Sequence, residues 1–250
     1  MDEQRKKTNF GFKEVFDDEK PSLIRDLFGR VADRYDLMND LMSFGLHRLW
    51  KRHFLTLIPK RPHMRLLDVA GGTGDIAFQF LTSMEDLDPS VVVYDLTPEM
   101  IQKGQEKALD HNILQGIDWV CGPAENLPFD DHSFDAYTIS FGLRNVTDKA
   151  KTLSEAYRVL KPGSPFFCLE FSQIEGPLKP LYNFYAMSLI PLIGKVILDQ
   201  KDAYQYLSES IATFPKADAV SAMIREAGFC HVRHEGLCSG LVAIHQGWKE

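Results

Sequence analysis

Short runs of apolar residues alternate with amphipathic stretches through the middle of this chain. The apolar runs predict buried strands at residues 65–70, 91–95, 117–121, 134–140 and 165–171. Between several of these runs the apolar positions recur at helical spacing, as they do in residues 98–112 and 148–160. Regular alternation of strand and helix is typical of a parallel sheet with helices on both faces. We therefore predict an α/β fold with a doubly wound, mostly parallel sheet.

The segments that flank this alternation predict helices and then a hairpin. Apolar residues before position 65 follow a helical stripe, and Pro21 suits a first helical turn. Later, the apolar stretch Leu181–Leu198 is interrupted by polar residues and a proline, which is unlike a membrane span. The chain is then a single domain, 1–250, with four parts: an N-terminal helical cap at 21–64, a ligand-binding core at 65–171, a helical substrate cap at 178–228 and a C-terminal antiparallel hairpin at 229–250.

Composition and charge narrow the function classes. The chain has 250 residues, 44% of them hydrophobic, which is enough for a sizeable core. Its 28 basic residues against 35 acidic ones give a net charge of −7, which argues against binding nucleic acid through phosphates. The four cysteines form no C-x-x-C pair, and Asp2 and Glu3 are unlike a transit peptide. We expect a cytoplasmic protein without a signal peptide.

A glycine loop, Gly71-Gly72-Thr73-Gly74, joins the first predicted strand to its helix. Its glycines, with Ala77, match the G-x-G-x-x-A spacing of dinucleotide sites. Carboxylates at Asp68 and Asp75 would repel a diphosphate but suit a cationic ligand such as S-adenosylmethionine. Asp95 ends the next strand, where it could accept hydrogen bonds from ribose hydroxyls. The loop could also be a plain structural turn with solvated acids.

Polar residues follow the third and fourth strands of the core. Because parallel strands end at one edge of a sheet, residues after them meet there. The segment after the third strand includes Ala124, whose backbone could contact an adenine. Ser140, Arg144 and Asn145 follow the fourth strand and form a polar cluster beside the expected reaction position. The alternative for Arg144 is an ordinary surface arginine.

Four motifs, together with Asp95, carry a resemblance to known families. YDLMNDLMSFGLHRLW at 35–50 and ISFGLRNVTD at 139–148 are similar to the two signatures of the UbiE-like ubiquinone/menaquinone biosynthesis C-methyltransferases. The glycine loop, Asp95 and RVLKPG at 158–163 resemble class I S-adenosylmethionine-dependent methyltransferases more broadly. The resemblance runs from about Phe10 to the C-terminus, so it covers nearly the whole chain.

The resemblance implies methylation of a ring carbon with S-adenosylmethionine as cofactor. The substrate would be a polyprenylated quinol, 2-methoxy-6-polyprenyl-1,4-benzoquinol, or demethylmenaquinol. The cofactor-binding residues would be Asp68, Gly71, Thr73, Gly74, Asp95, Ala124 and Ser140. Arg144 and Asn145 would be catalytic, stabilising a phenolate or ordering the water that takes its proton. The family usually has Asn or Asp where this chain has Pro123.

Other histidines and cysteines bear on a general base and a metal. His47 lies in the first signature and could act as a base, although a buried helical histidine is more often structural. The spacing of Cys230, His231, His234 and Cys238 matches no common zinc module, so we predict no metal.

Partners and competing functions complete the expectations. The apolar stretch at 181–198 could line a polyprenyl tail or touch a membrane as a peripheral contact. A homodimer or a quinone-biosynthesis complex fits such an enzyme, and nucleic acid does not. Three other functions stay open: an oxidoreductase that uses the G-x-G-x-x-A spacing, a non-catalytic cofactor-binding scaffold, and a methyltransferase of another small phenol.

Overall fold

The computed structural model describes residues 5–173 and 201–250 of the chain. Its strands in chain order are β1 (Lys7–Phe10), β2 (Lys13–Phe16), β3 (Arg65–Val69), β4 (Ser90–Asp95), β5 (Ile117–Cys121), β6 (Ala136–Ser140), β7 (Pro165–Phe171), β8 (Cys230–Leu237) and β9 (Val242–Trp248). Its described helices are α1 (Lys20–Val31), α2 (Tyr35–Ser43), α3 (Leu46–Thr56), α4 (Asp75–Ser83), α5 (Pro98–Asp110), α6 (Lys149–Val159), α7 (Lys201–Thr213) and α8 (Ala217–Glu226). A short 3-10 turn at Ala32–Arg34 lies between α1 and α2, and another at Glu85–Leu87 lies between α4 and β4.

The main sheet has seven strands in the order β5-β4-β3-β6-β7-β9-β8. The first five of these strands are parallel, while β9 runs antiparallel to both β7 and β8. This confirms the predicted doubly wound, mostly parallel sheet with a C-terminal antiparallel hairpin. Within that hairpin, the later strand β9 lies against β7 and the earlier strand β8 forms the edge.

The core strands are buried because helices cover both faces of the sheet. Leu66, Leu67 and Val69 of β3 are fully buried, as every residue of β7 is buried. Continuous apolar runs of this kind are what a parallel sheet with two covered faces requires. Successive crossovers go to opposite sides of β3, so β3 and β6 form the switch point of the sheet. Ligands bind beyond the carboxyl ends of strands at such a point.

Helices α1 to α3 precede β3 and cover the edge of this switch point. In α1, Ile24, Leu27 and Val31 form a buried stripe, and Pro21 occupies the first turn. The hairpin β1–β2 before them is an element that the sequence analysis missed. Phe10 of this hairpin stacks on Tyr206 of α7 with ring centroids 4.4 Å apart.

The second predicted cap is described only in part. Its later residues form α7 and α8, but the apolar stretch at 181–198 lies outside the described residues. Among the residues that are described, no helix combines the length and hydropathy needed to cross a membrane.

Candidate active site

The chain turns sharply as it leaves β3 and β6. Ala70 and Phe141 both have left-handed backbones, with φ of 52° and 56°, which is uncommon for residues with side chains. Next to Phe141, a Cβ built on Gly142 would lie only 2.3 Å from the Cβ of Ala70. A glycine is therefore required where the two strand ends meet. The sharp turns open a cleft at the carboxyl ends of the strands.

This cofactor cleft has a volume of about 730 Å³ and extends from the glycine loop to the segment after β5. Asp95 lies at its centre, with Oδ2 accepting from the Gly72 N–H and Oδ1 from the Thr97 N–H, both at 2.9 Å. Burial raises the pKa of Asp95, and these N–H donors oppose the rise. Each carboxylate oxygen can accept more than one hydrogen bond, so Asp95 can still receive ribose hydroxyls.

One wall of the cleft is apolar and includes Pro123 and Ala124, with Leu96 and Met100. The Tyr94 hydroxyl holds this segment from behind, at 3.3 Å from the carbonyl oxygen of Pro123. Ala124 thus lies where the sequence analysis expected an adenine contact. At Pro123 the wall offers no side-chain donor or acceptor.

A smaller cavity of about 290 Å³ adjoins the cleft and contains Asp68, Ser140 and Gly71. Asp68 is fully buried, and its Oδ1 accepts from the Thr138 hydroxyl at 2.7 Å. Within the described residues, Asp68 Oδ2 and Ser140 Oγ have no hydrogen-bond partner. Burial raises the pKa of Asp68 to about 7. Unpartnered buried polar atoms are costly, so this cavity fits a polar, cationic ligand group.

Lys51 of α3 is a site residue that the sequence analysis missed. It is buried in the smaller cavity, and its Nζ donates to Asp75 Oδ2 at 2.8 Å. Burial alone would shift both groups toward neutrality, but their mutual attraction raises the pKa of Lys51 and lowers that of Asp75. Asp75 is thus already paired, and Asp68 alone is left to face a cation. A lysine on the buried stripe His47, Trp50, Lys51, Phe54 was the available signal.

The remaining glycine-loop residues shape the site. Thr73 is buried, and its Oγ1 accepts from Lys107 Nζ at 2.9 Å, which ties the loop to α5. Gly74 caps the start of α4 with φ of 88°, and a Cβ there would meet the Trp119 ring at 2.8 Å. Both residues act through the loop conformation, and of the two only Thr73 lines a described cavity.

Arg144 and Asn145 are neighbours in one loop, but they have different surroundings. Asn145 lines the cofactor cleft, and its Oδ1 accepts from the Tyr206 hydroxyl at 3.0 Å. Arg144 faces away: its Nη1 donates to Glu170 Oε1 at 2.7 Å and to the Phe141 carbonyl. Its backbone N–H donates to Glu170 Oε2 at 3.1 Å. The guanidinium lines neither the cofactor cleft nor the smaller cavity, so the structure does not place it beside a substrate ring.

His47 lies outside both cavities. It is buried, and its Nε2 is 2.9 Å from Asp40 Oδ1, linking α3 to α2. Burial lowers the pKa of His47, and the neighbouring Asp40 only partly offsets this. A structural hydrogen bond therefore describes this histidine better than a catalytic base.

The C-terminal histidines and cysteines do not form the set considered from the sequence. His234 lies 3.1 Å from the Ser221 hydroxyl, away from Cys230. Cys230 and His231 instead have their potential ligand atoms near Glu250, on the surface at an irregularity of β8. This surface group lies far along the sheet from the cofactor cleft, beyond β7 and β9.

Comparisons with known proteins give the relatives of this chain. The profile described as the ubiE/COQ5 methyltransferase family matches residues 13–249. The chain is 51% identical over 245 residues to the ubiquinone/menaquinone biosynthesis C-methyltransferase UbiE of Rickettsia prowazekii, covering 97% of this chain and 98% of that protein. The protein of the same description from Dinoroseobacter shibae is 48% identical, covering 98% and 97%.

Solved structures are similar in fold at low sequence identity. A S-adenosylmethionine-dependent methyltransferase from Thermotoga maritima has a TM-score of 0.63 and 20% identity, covering 91% of this chain and all of that one. Phosphoethanolamine N-methyltransferase 2 of Haemonchus contortus, in complex with S-adenosyl-L-methionine, has a TM-score of 0.66 and 17% identity, covering 90% and 60%. These likenesses support the methyltransferase fold alone.

Proposed function

We propose a substrate and a mechanism for this chain, which belongs to the ubiE/COQ5 methyltransferase family and is an S-adenosylmethionine-dependent C-methyltransferase of ubiquinone/menaquinone biosynthesis. The observation that carries this function is similarity at about half identity, over nearly the full length, to C-methyltransferases of that description. This similarity indicates that the G-x-G-x-x-A spacing belongs to a methyltransferase loop, and it argues against an oxidoreductase. The two cavities supply the physical grounds for the cofactor.

The residues of the two cavities fit S-adenosylmethionine. Asp95 would hold the ribose, and the wall at Ala124 would pack against adenine. The unpartnered Asp68 Oδ2 and Ser140 Oγ would receive the amino group of the methionine portion, because both are buried and lack other partners. Lys51, beside them, would hold the carboxylate. When bound, S-adenosylmethionine supplies an electrophilic methyl group on a sulfonium.

Asn145 is the residue that we propose to contact the quinol. The Tyr206 hydroxyl donates to Asn145 Oδ1, so the amide oxygen is fixed and the amide NH₂ is turned to the other side. One N–H donates to the Phe141 carbonyl at 3.5 Å, and because Asn145 lines the cleft we propose that the other N–H meets the substrate there. A donor in that position would stabilise the phenolate oxygen that forms as water takes the quinol hydroxyl proton, which makes the adjacent ring carbon more nucleophilic.

For Arg144 we propose a positioning role in place of direct contact. Its backbone and guanidinium both bind Glu170, so the ion pair fixes the start of the loop that carries Asn145. Removing one partner of a buried ion pair leaves the other charge uncompensated. Glu170→Gln should then lower kcat about as much as Arg144→Met, with little further loss in the double variant. A normal kcat in Glu170→Gln, with a large loss in Arg144→Met, would support direct contact instead.

Membrane contact and assembly belong to this proposal as well. The polyprenyl tail of the substrate favours a peripheral contact with a bilayer, and Leu37, Leu46 and Leu49 on α2 and α3 are exposed apolar residues that could form it. Liposome flotation should detect binding that Leu49→Glu weakens, and no flotation with or without quinol would contradict the contact. Assembly as a homodimer or within a quinone-biosynthesis complex, and a cytoplasmic location, stay predictions.

Disruption of the gene, followed by mass spectrometry of quinones, tests which substrate is used. We expect accumulation of a demethylated benzoquinol, demethylmenaquinol or both, depending on the quinones that the cell makes, and reversal by the wild-type gene. An unchanged quinone profile would contradict the proposed function.

A further inference from the structure

A polar cavity lies behind the loop that carries Asn145, on the side away from the cofactor cleft. Its volume is about 410 Å³, and it is enclosed by the β1–β2 hairpin and by parts of α1, α6 and α7. Among the described residues, polar and basic side chains dominate its lining: Thr8, Asn9, Lys20, Arg144, Lys149, Tyr206, Ser210 and Thr213. No carboxylate belongs to this described lining. The cavity is thus separate from the site for methyl transfer and has a different chemistry.

The cations in this cavity come from three different elements. Lys20 of α1 is 2% exposed, and its Nζ donates to the Val146 carbonyl at 3.0 Å. Lys149 begins α6, and within residues 5–173 and 201–250 its only described partner is the Phe214 ring, 5.9 Å from Nζ. Arg144 is 7% exposed, and its Nε has no hydrogen-bond partner there. Neither lysine is neutralised by a carboxylate in an ion pair among the described residues.

The nearby carboxylates are already engaged. Glu170 binds Arg144 and the Phe171 N–H, and Glu125 accepts from the Thr147 and Asp148 N–H groups. Asp148 caps α6 through the Lys151 N–H. These acids therefore stabilise the loop and the helix start, and among the described residues none of them forms an ion pair with Lys20 or Lys149.

Unpaired buried cations cost stability unless an anion compensates them. Burial, together with the neighbouring charge of Lys149, lowers the pKa of Lys20 to about 8, and burial lowers the pKa of Lys149 as well. Glu125 acts on both lysines from a distance and opposes part of this lowering, but among the described residues it forms an ion pair with neither of them. The lining offers cationic donors from three residues, one of them the planar guanidinium of Arg144, and such donors suit an anion with several oxygens.

We infer that this cavity binds a tetrahedral oxyanion, either free phosphate or the phosphate group of a larger molecule, through Lys20, Lys149 and the Nε of Arg144. The anion would lie against the loop that carries Asn145, and so would restrain that loop from its rear side. This inference does not depend on the methylated substrate, because its test needs neither quinol nor turnover.

Calorimetric titration with inorganic phosphate, at an ionic strength matched with potassium chloride, tests the site. The variant is Lys149→Gln, and the matched control is Lys151→Gln, which removes an exposed charge from the same helix. We expect saturable binding to the wild type, about tenfold weaker binding to Lys149→Gln, and unchanged binding to Lys151→Gln. Equal weakening in both variants would overturn the inference, because it would indicate diffuse attraction by surface charge.

Amide hydrogen exchange tests whether phosphate binds beside the loop that carries Asn145. Lipid vesicles test whether the bound phosphate group is that of a lipid. Phosphate should slow amide exchange in residues 142–147 of the wild type but not of Lys149→Gln. If free phosphate has no effect, vesicles of phosphatidylglycerol, compared with phosphatidylcholine, should bind in a manner that requires Lys149. Should Lys149→Gln fail to fold, Lys20→Met replaces it in the same titrations. Absence of a lysine-dependent effect with phosphate and with both vesicles would overturn the inference.

Discussion

Replacing Asp68 with asparagine should stabilise the ligand-free protein and lower its affinity for S-adenosylmethionine. Asp68 is fully buried, and one of its oxygens has no partner within the described chain. Asparagine keeps the shape and can still accept from the Thr138 hydroxyl, but it carries no charge. The variant therefore separates the cost of holding a buried carboxylate from its use in binding an ammonium group.

The pKa of Asp68 sets the size and the pH dependence of the effect. Burial raises it from an ordinary 3.8 to about 7, so folding opposes ionisation. Ionisation of Asp68 therefore lowers the free energy of unfolding. This penalty is absent below pH 4, grows as the pH rises toward 7 and reaches its full size above pH 7. It amounts to about 4 kcal/mol at pH 8 and about 2 kcal/mol at pH 5. The asparagine NH₂ adds a cost that does not depend on pH, so the change between the two pH values is the cleaner quantity.

Urea denaturation of ligand-free wild type and Asp68→Asn at pH 5 and pH 8 measures this quantity. The free energy of unfolding of the variant, relative to wild type, should rise by about 2 to 3 kcal/mol between these pH values. Asp118→Asn, which removes an exposed acid from β5, should show no such rise. Calorimetry with S-adenosylhomocysteine, which keeps the amino group, should show about a hundredfold weaker binding to Asp68→Asn.

Two results would contradict the expected behaviour of Asp68→Asn. If the difference in unfolding free energy between wild type and Asp68→Asn did not change with pH, folding would not raise the pKa of this carboxylate. If affinity for S-adenosylhomocysteine were unchanged, the unpartnered oxygen would not receive the amino group.

Three further changes test other parts of the site. Lys51→Met should destabilise the protein by about 3 kcal/mol in urea melts, because it leaves Asp75 unpaired, and should weaken S-adenosylhomocysteine binding. Asn145→Ala should lower kcat about a hundredfold at unchanged affinity for S-adenosylhomocysteine, and a wild-type kcat would contradict its role. Gly142→Ala should cost about 1 to 3 kcal/mol, because its Cβ would meet Ala70 at 2.3 Å, and an unchanged melting curve would contradict that clash.

The core strands could be predicted because each one is a short, mostly apolar run. The run at 165–171 marks β7 to the residue, because a strand with both faces covered needs no alternation. The run at 117–121 marks β5 equally well, although β5 is an edge strand with an exposed Asp118. The hairpin β1–β2 could not be found this way, since its residues are mostly polar and half-exposed. It is held by tertiary contacts such as the stacking of Phe10 on Tyr206.

The candidate site was predictable as far as strand ends determine it. Asp68, Asp95 and Ser140 lie at the carboxyl ends of β3, β4 and β6, where the topology brings them together. The partners of charged residues were not predictable, because Lys51 reaches Asp75 across the interface of α3 and α4. The pairing of Arg144 with Glu170 was equally hidden, although a glutamate within the apolar run of β7 was a signal for a buried ion pair.

Transfer of a methyl group to a ring carbon of a quinol can be measured directly by isotope labelling. Purified protein is incubated with S-adenosylmethionine carrying a carbon-13 methyl group, together with demethylmenaquinol or 2-methoxy-6-polyprenyl-1,4-benzoquinol, each also supplied in its oxidised form. Carbon-13 NMR then locates the label. We expect a label on a ring carbon of at least one reduced substrate and none on the oxidised forms. A label on oxygen, or no transfer to either quinol, would contradict this expectation.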